Sequence, residues 1–133
     1  MRLANVFLAK IVVTAVFWCV PLLASPPSLI QAIGMPSPHP IVFARLLGAA
    51  YLALLVVYWH GWTEARRGSR CIVAVRAGVV SNGLAALLMV GYGVAGEWDG
   101  WSVAGQAYMW GSGMLAGAIT VGLLVGRSGG PAG

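Results

Sequence analysis

Ile41 to Arg70 reads IVFARLLGAAYLALLVVYWHGWTEARRGSR. Its first twenty residues, Ile41 to His60, hold one charge, Arg45. As a helix, an apolar run of that length crosses a hydrocarbon core of about 30 Å. Tyr58, Trp59 and Trp62 follow, then Arg66, Arg67 and Arg70. Aromatic side chains gather where hydrocarbon meets water, and arginines gather on the cytoplasmic side. This stretch therefore predicts a span, its boundary and its orientation.

Three further runs have the same character. The first is about Leu3 to Ala24, with Arg2 ahead of it and Lys10 two turns in. A lysine there can lay its methylenes along the helix and snorkel its ammonium back to the headgroups. Pro21 is expected to bend the outer end. A cleaved signal peptide is the rival reading, but the core is long and a small-x-small cleavage pattern is absent. The second run is about Ile72 to Val94, and the third about Ser102 to Val125. Between the first two spans, Ser25 to Pro40 holds five prolines and no Lys or Arg. A continuous helix is impossible there, although Ser28 to Ile33 can form a turn or two, capped by Ser25 and ended by Gly34.

Of 133 residues, 59% are hydrophobic and 8% charged. Soluble domains carry nearer 25% charged residues, so the polar surface is too small to coat a water-soluble globule. The four runs use most of the chain. The expected fold is all-α: one antiparallel four-transmembrane-helix bundle over residues 1–133, with the bilayer as its solvent.

Lys and Arg alternate along the chain: Arg2 and Lys10, none in the first loop, four in the second loop and its flank (Arg66, Arg67, Arg70 and Arg76), none in the third, then Arg127. Both termini are therefore expected in the cytoplasm, in a bacterial inner membrane. The same placement accounts for the net charge of +5, so nucleic acid is not an expected partner. The tail from Arg127 to Gly133 is Gly-rich and expected to fray.

Few residues suggest chemistry. His39 and His60 fall at opposite predicted faces and cannot share a haem. No His/Cys/Asp/Glu group has zinc spacing, and no catalytic set shares a depth. Cys19 and Cys71 fall at opposite ends of their spans and are not expected to bridge. The acids Glu64, Glu97 and Asp99 are all placed in loops, which counts against a proton-coupled transporter.

Two polar residues within the spans stand out. Asn82 can bind a quinone carbonyl or a lipid headgroup, or more plainly make an interhelical hydrogen bond worth about 0.6 kcal/mol. Arg45 sits on the side that positive charge avoids, near the positive end of its own helix. An anion answers both objections, so Arg45 is expected to pair with Glu97 or Asp99, preferably Glu97. Gly113 and Gly117 form a small-xxx-small pair expected to face another helix. Trp59, Trp62, Trp98 and Trp101 read as interfacial belt residues.

The phrases Phe43-Ala44-Arg45-Leu46-Leu47-Gly48, Leu52-Ala53-Leu54 and Tyr58-Trp59, followed by a short basic loop, resemble the DoxX-like group of small bacterial four-helix membrane proteins. So do the proline-rich turn after the first span and the run Gly78-Val79-Val80-Ser81-Asn82-Gly83. The resemblance implies an inner-membrane four-helix protein, and some such relatives are subunits tied to quinone-linked oxidoreductases. Three functions follow as expectations. The leading one is a non-catalytic accessory or assembly partner of a membrane complex, with no cofactor. The second is a quinone-linked subunit touching its ligand through Arg45 and Asn82. The third is a small transporter working as a homo-oligomer.

Overall fold

The structure is a computed structural model that describes residues 2–126. The readings made above for Arg127 and the tail lie outside those residues. Four long helices are present: α1 (Leu3–Ala24), α3 (Val42–Arg66), α4 (Ile72–Val94) and α5 (Val103–Val125). A short α2 (Pro27–Ala32) lies in the first connection. At ~1.5 Å per residue, 22 to 25 residues make helices of about 33–38 Å, enough to cross the hydrocarbon.

The fold is an all-α antiparallel four-helix bundle. α1 packs along α3 as the most extensive pair, α4 packs along α5, and α1 and α5 close the ring. One end gathers Arg2, Arg66, Arg67, Arg70 and Arg76. The other carries α2, the proline-rich loop and Trp101. These are called the basic end and the proline end below.

The outside is apolar, with Leu8, Val12, Val56, Leu87, Val94 and Met114 exposed along the helices. The inside holds Lys10, Thr14 and Ser112. An apolar exterior suits a hydrocarbon solvent, where apolar surface outside carries no cost. The tight core is Leu3, Val6, Phe7, Tyr58, Ala65, Ala74, Ile119 and Leu123, all in the half nearer the basic end. Small residues set the approach distances there. A Cβ at Gly61 would lie 2.6 Å from the Ala74 Cβ and 2.8 Å from the Phe7 ring. Further along, a Cβ at Gly113 would meet Met89 at 3.2 Å, and one at Gly117 would meet Ala86 at 3.9 Å. Both glycines thus line the α4–α5 seam.

Helix ends follow local chemistry. α3 runs six residues beyond the expected His60, so Glu64 lies in its last turn rather than in a loop. The chain stops at Gly68, where Ser69 N–H bonds the Glu64 carbonyl and Gly68 N–H bonds that of Ala65. This paired closure needs a left-handed residue, and Gly68 supplies φ +83°. α2 starts at Pro27 with Pro26 before it, and no side chain caps it, so the cap expected from Ser25 is not made.

α1 does not simply bend at Pro21. Residues Thr14–Cys19 form a π-helical segment, with Val20 N–H bonding the Ala15 carbonyl five residues back. Pro21 can give no N–H to the Phe17 carbonyl, and its ring crowds that group. A wider turn just before the proline relieves the crowding.

Candidate functional site: a cavity at the proline end and a buried lysine

Three prolines determine what gathers at the proline end. In an α-helix each carbonyl accepts from the N–H four residues on. Pro21, Pro26 and Pro27 have no N–H, so the carbonyls of Phe17, Leu22 and Leu23 lose that donor. Side chains from other helices replace two of the three. Tyr108 of α5 donates its hydroxyl to the Phe17 carbonyl. Arg45 of α3 donates through Nη1 to the Leu22 carbonyl at 2.6 Å and through Nη2 to the Ser25 carbonyl at 2.8 Å.

This corrects the expected Arg45–Glu97 pair. Among the described residues the one ion pair within 4.0 Å is Arg67 with Glu64, at 3.0 Å in the basic turn. α3 lies along α1 rather than beside the α4–α5 connection, so the carbonyls at the end of α1 are the nearest acceptors. They also carry the negative end of the α1 dipole. The anion that Arg45 requires is therefore a partial charge on backbone.

Ser102 fastens the loop to α5. Its Oγ donates to the Ile33 carbonyl and accepts from Gly105 N–H, and its own N–H reaches the Gly34 carbonyl at 3.3 Å. Gly34 has φ +72°, and a Cβ there would overlap the Ser102 side chain at 2.3 Å. With α2 held this way, a cavity of about 450 Å³ remains between the end of α1, the loop and the start of α5. Trp18, Ile30, Met35, Trp101, Tyr108 and Met109 line it, and Leu22 and Ser25 place Arg45 at its rim. Trp18 stacks on Tyr51 at 5.6 Å and touches Tyr108 at 6.3 Å.

A second constellation lies deeper, within the tight core. Lys10 is 1% exposed. Its ammonium sits 4.0 Å from the centre of the Tyr58 ring. The snorkelling expected of it does not occur, because its methylenes run across the bundle into space left by Gly78. A Cβ at Gly78 would lie 3.5 Å from the Lys10 Cε. Among the described residues, no carboxylate lies within 4.0 Å of the ammonium. Tyr58 shares a 2.8 Å hydrogen bond with Ser81, whose hydroxyl also reaches the Gly78 carbonyl at 3.3 Å. Counted from their helix ends at the basic side, Lys10, Tyr58 and Ser81 lie roughly 10–14 Å deep, at one level.

Among the described residues Asn82 makes no interhelical hydrogen bond. Its Nδ2 donates to the Gly78 carbonyl of its own helix at 3.0 Å. Arg45 and Asn82 are not brought together. Trp98 also departs from its expected place. It is 5% exposed, meets Trp110 edge-on at 5.1 Å and lies against Gly93, closing the α4–α5 hairpin.

Tyr108, Ser102 and the Lys10–Tyr58 pair were not singled out from sequence. For Tyr108 a signal existed: a proline four residues after Phe17 demands an outside donor. Geometry of this kind defines a small multi-pass integral membrane protein. No protein-family model, curated protein or solved structure matches the chain.

Proposed function

We propose that the protein is a non-catalytic accessory or assembly partner of a larger complex in a bacterial inner membrane, of the kind found in the DoxX-like group. One observation carries this reading: the polar side chains that a ligand would call on are engaged within the fold, although among the described residues Ser112 Oγ is buried without a partner. Arg45 and Tyr108 cap α1, Asn82 bonds its own helix, and Tyr58 is tied to Ser81. What stays open to a partner is the outer surface. At Gly91 and Gly111 nothing lies within 4 Å of where a side chain would begin, so a neighbouring helix can come close there.

A second reading, a subunit that touches quinone, is favoured by the cavity at the proline end. Its volume falls within the range of about 300–1,000 Å³ of small-molecule sites, and flat aromatic side chains line it.

Purification in mild detergent, with mass spectrometry of co-purifying chains and of the organic extract, separates the readings. Stable partner subunits support the first, and a stoichiometric quinone the second. A homo-oligomer with neither supports a transporter instead. The orientation proposed, with both termini in the cytoplasm, rests on the arginines at the basic end. Reporter fusions after Gly68 and after Gly96 should read cytoplasmic and periplasmic, and the opposite result overturns it.

A further inference from the structure

The basic end holds a cleft that neither reading uses. It has a volume of about 780 Å³ and lies between the start of α1 and the end of α3. Arg2, Arg66 and Arg67 line its mouth, and Leu8 and Trp62 line its depth. Leu8 is six residues into the bundle from Arg2, roughly 9 Å. Trp62 is one turn, roughly 6 Å, below Arg66. Charge at the mouth thus gives way to apolar surface within one lipid headgroup's depth.

The three guanidinium groups are not equivalent. Arg67 is engaged by Glu64 at 3.0 Å. Among the described residues, Arg2 and Arg66 have no carboxylate within 4.0 Å. The Arg66 guanidinium lies 4.9 Å over the Trp62 ring, which fixes it at the cleft wall. Next to this cleft, and sharing Leu3 with it, a smaller one holds Arg70 and Arg76. So two cations from the start of α1 and the end of α3, neither paired with a described carboxylate, line one cleft with Leu8 and Trp62, in a region made more positive by their neighbours.

We propose that this cleft binds an anionic phospholipid from the leaflet at the basic end. Its phosphate sits between Arg2 and Arg66, and one acyl chain descends along Leu8 and Trp62. Diffuse attraction between arginines and a charged surface asks for no cavity. Here the cations flank a concave site whose polarity gradient matches a headgroup joined to a chain. The phosphate chemistry alone would also suit a free phosphate ion, and only a lipid uses the apolar floor.

The test uses the full chain in an uncharged detergent. Phosphatidylglycerol with brominated acyl chains is titrated while tryptophan fluorescence is followed, with brominated phosphatidylcholine and inorganic phosphate as the other arms. Phosphatidylglycerol should quench at lower mole fraction than phosphatidylcholine, and the difference should vanish in Trp62→Phe. Arg2→Gln with Arg66→Gln should weaken the phosphatidylglycerol response roughly 30-fold, two arginines' worth of surface attraction. Arg2→Lys with Arg66→Lys keeps the charges and should keep the preference. That pair carries the test if the glutamine variant does not fold. Equal quenching by the two lipids overturns the proposal. So does an unchanged response in the glutamine variant, loss of preference in a folded lysine variant, or competition by inorganic phosphate at equal concentration.

Discussion

Removing the arginine from the end of α1 is the sharpest test of the proline argument. Arg45→Gln deletes two charge-assisted hydrogen bonds, to the Leu22 and Ser25 carbonyls. Bonds to a charged donor are worth about 1.5–3 kcal/mol each when intact. Arg45 is only partly buried, so water or headgroups can replace part of that, and glutamine can keep one neutral bond. A net loss of about 2 kcal/mol is expected. For a chain of this length that lowers the unfolding midpoint by roughly 5–10 °C. Thermal unfolding followed by circular dichroism in an uncharged detergent reads it.

The decisive arm is a double-mutant cycle with Pro26→Ala. Alanine restores an N–H four residues after Leu22 and lifts the pre-proline restriction that holds Ser25 extended, at ψ 127°. The Leu22 carbonyl then has a backbone donor, and Arg45→Gln should cost about 1 kcal/mol less than it does beside Pro26. Effects that add to within about 0.5 kcal/mol would refute the idea that Arg45 substitutes for a missing N–H. The same cycle run with Glu97→Gln should be additive, since the two side chains do not meet.

Tyr108→Phe removes the hydroxyl that serves the Phe17 carbonyl and should cost about 1 kcal/mol, measured by the same unfolding experiment. Lys10→Met keeps the length of a buried side chain that has no carboxylate partner, so stability should hold or rise; a fall of more than about 2 kcal/mol would mean that the ammonium over Tyr58 outweighs its desolvation. Gly61→Ala should disrupt the contact of α3 with Ala74 and Phe7, whereas Gly111→Ala meets open space and should be neutral or stabilising by up to about 1 kcal/mol; equal effects in thermal unfolding would contradict this packing. Gly117→Leu should destabilise the α4–α5 seam at Ala86, and unchanged stability would place Gly117 toward lipid.

Legibility from sequence divided along a physical line. Span number, span order and most helix ends were readable because the bilayer imposes one length and one polarity on every crossing segment. The α4 boundaries, Ile72–Val94, coincide with the apolar run, and the small residues Ala74, Gly78 and Ala86 line packed seams. α3 overran its apolar run because its end is decided by Gly68 and by water-exposed hydrogen bonds, which hydropathy does not register. Trp98 read as an interfacial residue because composition cannot separate a ring lying in headgroups from one folded over Gly93.

By itself the sequence determined that this chain must be four apolar helices with charge at their ends, since a helix satisfies its own backbone in hydrocarbon and apolar runs of about 20 residues are the length of helical rather than β-barrel spans. It also determined, through Pro21, Pro26 and Pro27, which carbonyls would lack a donor. Only the tertiary structure decided who would serve them. Arg45 was expected to seek a carboxylate, and it reached the end of α1 because α3 lies along α1 while Glu97 sits on the far hairpin. Lys10 was expected to climb to the headgroups, and it crossed the bundle because Gly78 on another helix leaves it room beside the Tyr58 ring. A side chain's needs are written in its own chemistry. Its partner is set by which helix lies next to it, and that depends on packing between residues far apart in the chain.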